Sequence, residues 1–94
     1  MGELVQKVTD IGLAALLVYE YNPEIIDRVE CFSSDTITFW IRGVKHFDLQ
    51  IIEESYRDPK TTIYAKAYAD AYAKVLELRD IATRQGAYQK KVGG

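Results

Sequence analysis

Few residues in this 94-residue chain have side chains that could do chemistry, and their spacing limits what that chemistry is. His46-Phe47-Asp48, with Glu53-Glu54 close behind, sets one imidazole among carboxylates, a combination that can hold a divalent cation or move a proton. The chain has one histidine and one cysteine, too few for the four-ligand Cys/His zinc sites of small domains, and a lone histidine beside acids is ordinary surface. No catalytic residue, metal ligand or cofactor is therefore assigned, and the chain reads as a non-enzyme. Cys31 has no base near it in sequence and reads as a small buried side chain rather than a nucleophile. A single cysteine also excludes an internal disulfide.

Two aromatic groups remain. Tyr64, Tyr68 and Tyr72 recur every four residues, each a flat apolar ring with a hydroxyl that tolerates a wet edge. Leu76 continues the series, and alanines at 65, 67, 69, 71 and 73 keep the backbone bare enough for another helix to approach. Trp40 stands at an outward strand position, where the segment Asp48 to Tyr56 or a second subunit would cover it. These five residues, Tyr64, Tyr68, Tyr72, Leu76 and Trp40, are the expected partner-binding surface, since tyrosine is enriched in interfaces. The alternative is nucleic-acid binding through Trp40, Arg42, Lys45 and the basic C-terminal part. Against it stand a sequence pI near 5.3 and a strongly acidic first half, where nucleic-acid binders carry a dense basic stripe.

The elements that must position these residues follow from pattern. Residues 4–8 are short and β-tolerant. Thr9-Asp10 supply the capping oxygens of a helix over Ile11 to Tyr19, whose Ile11, Leu13, Leu16, Leu17 and Val18 point in nearly every direction, so it is central or covered on two sides. Asn22-Pro23 ends it. A β-hairpin follows. Ile25, Val29 and Cys31 share a face of Glu24–Phe32 with Asp27 as the exception, a turn falls at Ser33-Ser34-Asp35, and Thr36–Arg42 alternates with Ile37, Phe39 and Ile41 inward. Between Gly43 and Arg57, Phe47, Leu49 and Ile51 alternate like a third strand, but Leu49, Ile52 and Tyr56 make a helix face. The good helix formers Gln50, Glu53 and Glu54 favour a short helix over Asp48–Tyr56. The last element is a long helix over Thr62–Gln85, stopped by Gly86. Its apolar arc, broken only by Arg79, spans about 200°, wide enough for two contacts where a core-facing stripe needs little over 100°.

The length allows one domain over residues 1–94, with an ordered core over about 4–85 and a flexible basic tail over 87–94. No run reaches the length of a membrane span, so no membrane partner is expected and the chain reads as cytoplasmic. Charge is uneven. Residues 1–58 carry eleven acids and five bases, net -6, and residues 59–94 three acids and seven bases, net +4. The halves could pack on one another or steer a partner.

The run Thr9-Asp10-Ile11-Gly12-Leu13-Ala14-Ala15-Leu16-Leu17, an alternating strand ending in an aromatic, a tyrosine-bearing segment and a long Tyr/Ala/Leu helix together resemble a family of small domains of unknown function found in bacteria and their phages. The resemblance covers roughly residues 8–82 and departs where Tyr21-Asn22 stands in place of the family's glycine. It implies a phage or mobile-element accessory protein and brings no catalytic residues with it. The expected fold is α+β, with helix, β-hairpin, short helix and a long C-terminal helix packed on a small antiparallel sheet. The expected function is a protein-binding or self-associating module, forming a homodimer through the Tyr/Ala face.

Overall fold

The computed structural model describes residues 5–33 and 36–93, the side chains at 32–33 and 85–93 excepted. Its elements run β1 (Val5–Val8), α1 (Ile11–Glu20), a single 3-10 turn (Pro23–Ile25), β2 (Ile26–Ser33), β3 (Thr36–Arg42), α2 (His46–Arg57) and α3 (Ala65–Gly93). The class is α+β as expected. The strands form one antiparallel sheet in the order β1-β3-β2, so the hairpin of β2 and β3 gains β1 on the far side of β3.

Asp10 starts α1 as its cap. Its carboxylate accepts from the Leu13 amide at 3.1 Å while its carbonyl takes the Ala14 amide at 2.9 Å. Leu13 through Val18 are all buried, so α1 is surrounded, with α3, α2 and the sheet around it. Asn22 accepts from the Glu24 amide and sets the 3-10 turn that Pro23 opens.

In the sheet, Val8, Phe39 and Val29 make one inward row, with Ile41 opposite Ile26 and Ile37 opposite Cys31. Ile26 and Arg28 pair with the adjacent residues Ile41 and Trp40, leaving Asp27 as an extra residue. That bulge explains why Asp27 breaks the inward pattern: it shifts the phase, so Ile26 rather than Ile25 is the strand residue opposite Ile41. Gly43, at φ +78°, then turns the chain out of β3 to bury Val44.

Two expectations need correction. The helix α2 begins at His46, two residues before Asp48, which lies in its first turn and favours the positive end of the helix dipole. Leu49 is buried and Ile52 half-buried as a helix face requires, while Phe47 and Ile51 are exposed. The helix α3 runs through Gly86 to Gly93 where a stop and a frayed tail were expected. A glycine inside a helix costs about 1 kcal/mol relative to alanine, a penalty rather than a prohibition. No proline follows it, and Ala87, Gln89, Lys90 and Lys91 are good helix formers. The turn residues Ser34 and Asp35 lie outside the described residues.

Candidate contact surface on the long helix

The broad apolar arc of α3 divides into two stripes. Tyr68, Ala71, Val75, Leu78 and Ala82, spaced three and four apart, form the buried or half-buried side, which packs on α1 and β2. About 100° further round lie Ala65, Ala69, Tyr72, Leu76 and Thr83, a stripe of three-and-four spacing interrupted where Arg79 stands between Leu76 and Thr83. There Ala65 and Ala69 are exposed, Tyr72 is 36% exposed, and Leu76 and Thr83 are half-buried.

The tyrosines expected to act together are thereby separated. Tyr68 belongs to the domain's own core: its hydroxyl donates to the Gly12 carbonyl at 3.1 Å and its ring meets Tyr19 edge-on at 6.3 Å. Burial, with smaller effects from Tyr72 and Asp10, holds its hydroxyl pKa above the usual tyrosine value. Tyr72 leans on Tyr68, ring centres 6.1 Å apart, and continues outward. Tyr64 stands just before the helix and is 80% exposed, its amide donating to the Tyr19 hydroxyl at 3.1 Å and its carbonyl accepting from Tyr68. Tyr72 and Leu76 are thus the outward members, and Tyr64, four residues before Tyr68 and ahead of the helix, is not in line with them.

Trp40 is on the sheet face opposite the inward row and does not join the tyrosines. The group over its ring is the Arg28 guanidinium, 4.9 Å from the centroid, while α2 packs on α1. Its indole N–H is buried and has no hydrogen-bond partner among the described residues. The neighbouring cations are tied to acids: Arg28 to Glu30 at 3.1 Å and Arg42 to Asp27 at 2.7 Å. Lys45 stands apart at the start of α2. A phosphate backbone meeting this face finds both arginines already paired, beside the exposed Lys7 of β1 opposite Trp40.

His46 meets an amide rather than the neighbouring carboxylates. Its Nδ1 lies 3.2 Å from Gln6 Oε1, and the Gln6 amide donates to the Val44 carbonyl, so the imidazole helps fasten β1 to the turn before α2. Among the described residues no group of three His, Cys, Asp or Glu side chains could hold a metal ion. Cys31 is half-buried, opposite Ile37.

Sequence reasoning missed the meeting of Asp10 and Tyr56. The Tyr56 hydroxyl donates to the capping carboxylate at 2.9 Å, across 46 positions of sequence, and fastens α2 to the start of α1. An open cavity of about 320 Å³ beside the pair is lined by Lys7, Thr9, Asp10, Glu53, Tyr56 and Arg57, among others. The hydrogen bond to Asp10 first, then burial and the Asp10 charge, push the Tyr56 pKa up to about 12. One signal was legible: Gly12, a costly residue within an apolar helix, marks a close approach, here by the Tyr56 ring.

No family model matches the chain, and no curated protein or solved structure matches it either. Among the described residues no helix is long and apolar enough to cross a membrane.

Proposed function

We propose that this chain is a small non-enzymatic module that acts by self-association, and that its contact surface is the outward stripe of α3 met by a second copy. The observation that carries this reading is a second stripe of small and apolar residues beside the core-facing one, interrupted at Arg79 and left exposed or half-buried. Tyr68, Ala71, Val75, Leu78 and Ala82 line the intramolecular contact, while Ala65, Ala69 and Tyr72 are exposed and Leu76 and Thr83 half-buried at its edge. Alanines let a second backbone come close, and Tyr72 with Leu76 supply the apolar area that such a contact removes from water. A chain this short buries only about 60 to 70% of its unfolded surface, so sharing a face with a copy adds to a thin core. Such a module suits a cytoplasmic accessory protein of a phage or mobile element, the role that the resemblance implies.

Light scattering at high micromolar concentration tests the reading. Wild type is expected at twice 10.7 kDa. The variant Tyr72→Glu is expected to remain folded and run as a monomer. A carboxylate at this partly exposed position is tolerated in the monomer but desolvated in a two-fold contact, where it enters twice. A wild-type mass of 10.7 kDa removes the proposal.

A further inference from the structure

Resting on that reading, we infer that the two copies of α3 pair antiparallel about a point level with residue 74, so that Lys66 of each meets Asp80 of the other. At 100° per residue, Lys66 and Asp80 both border the outward stripe on the side away from the core. Among the described residues Lys66 makes no ion pair, and Asp80, held by its neighbour Arg79 at 3.2 Å, keeps a side chain 61% exposed.

Direction decides whether these charges can meet. In a parallel pair in register, every residue is level with its own copy. Lys66 then lies fourteen positions, about 21 Å, from Asp80 of the second copy, and level with another Lys66. In the antiparallel pair Tyr72 is level with Leu76, Ala65 with Thr83, and Ala69 with the stem of Arg79. Lys66 comes within two positions, about 3 Å along the axis, of Asp80. Symmetry makes each contact twice. The bulky residues gather at the centre and the alanines lie toward one end of each helix, where the long Arg79 side chain needs room.

Cysteine pairing in a Cys31→Ser background separates the geometries. A chain carrying both Ala65→Cys and Thr83→Cys cannot close on itself, because the positions are about 27 Å apart along one helix. Mild oxidation is expected to give a covalent dimer whose disulfides, mapped by peptide mass, join 65 to 83, while the chain with Ala65→Cys alone stays uncrosslinked. A 65–65 disulfide overturns the antiparallel assignment in favour of parallel pairing. A dimeric mass with neither disulfide overturns it by placing the contact elsewhere, and both results leave self-association standing. A monomeric mass for the Cys31→Ser background, folded by circular dichroism and matching a monomeric wild type, removes the self-association reading itself. Charge exchange gives a second measurement free of new cysteines. Lys66→Glu is expected to raise the dimer dissociation constant about tenfold, and Lys66→Glu with Asp80→Lys to restore it. An unchanged constant for Lys66→Glu overturns the pairing.

Discussion

At Gly12 a single hydrogen in place of a side chain decides how α2 sits on α1. A Cβ there would collide with the Tyr56 hydroxyl and stand 3.0 Å from Cζ, so the ring would have to shift, which strains its bond to Asp10. Alanine is otherwise worth up to about 1 kcal/mol in a helix interior. The two effects make the sites interdependent. Gly12→Ala is expected to destabilise wild type by about 1 kcal/mol and to stabilise a Tyr56→Ala background by about 0.5 kcal/mol, a coupling that urea denaturation of the four proteins reads directly. Additive changes would show that the ring moves aside without loss. The same hydroxyl gives a pH dependence. Its pKa is raised from 10 to about 12 in the folded chain, so the folded state holds this proton more tightly than the unfolded state does. The resulting stabilisation is complete below pH 10 and is lost as pH rises towards 12. Wild type should therefore lose stability over that interval faster than Tyr56→Phe, and equal slopes in the two proteins would contradict the Asp10 bond as its source.

Among the elements, β3 depends most on one residue. Phe39 is fully buried, lies in the central strand and pairs with Val8 on one side and Val29 on the other. Phe39→Ala is expected to cost about 3 to 5 kcal/mol, enough to leave a domain of this size largely unfolded in thermal melts. An unchanged midpoint would mean that Phe39 is not in the core. That strand was legible because alternation is a local signal: Ile37, Phe39 and Ile41 declare their side without reference to anything distant. The cap of α1 was legible for the same reason, since Asp10 and Leu13 are three residues apart. The strand β1 was only hinted at. Its four residues include Gln6 and Lys7, and what makes them a strand is pairing with β3 more than thirty positions away. The bulge at Asp27 appeared in sequence as an exception without a cause, because the cause is the register of the facing strand. On α3 the width of the apolar arc was readable, but not its division. That Tyr68 turns into the domain and Tyr72 out of it follows from where Tyr19 and Gly12 lie on α1, which no periodicity within α3 contains. Of the Asp10–Tyr56 meeting only the close approach at Gly12 was readable, not the residue that makes it, since the bond joins residues 46 positions apart.

On the scale of the whole molecule, the distribution of charge bears on what this protein meets. The acids gather in residues 1–58 and the bases in 59–94, a helix-rich stretch whose α3, about 43 Å long, nearly matches the 46 Å longest dimension. Ion pairs form within each half: Arg28 with Glu30, Arg42 with Asp27 and Arg57 with Glu53 in the first, Lys74 with Glu77 and Arg79 with Asp80 in the second. Exposed pairs of this kind add little stability. Their consequence is for binding, because a phosphate approaching the Trp40 face would have to displace Asp27 from Arg42 and Glu30 from Arg28 before gaining either cation. Counterion release rewards a protein only for charges it can bring to the nucleic acid, and here the sheet offers two arginines already paired and Lys7 opposite Trp40, with Lys45 set apart on α2. Short DNA or RNA is therefore expected to show no mobility shift with this protein at physiological salt. Saturable micromolar binding that falls steeply with added salt, and is weakened by Lys45→Glu, would mean that the pairs on the sheet open for phosphate. The outward stripe of α3 would then cease to be the surface that best accounts for the molecule.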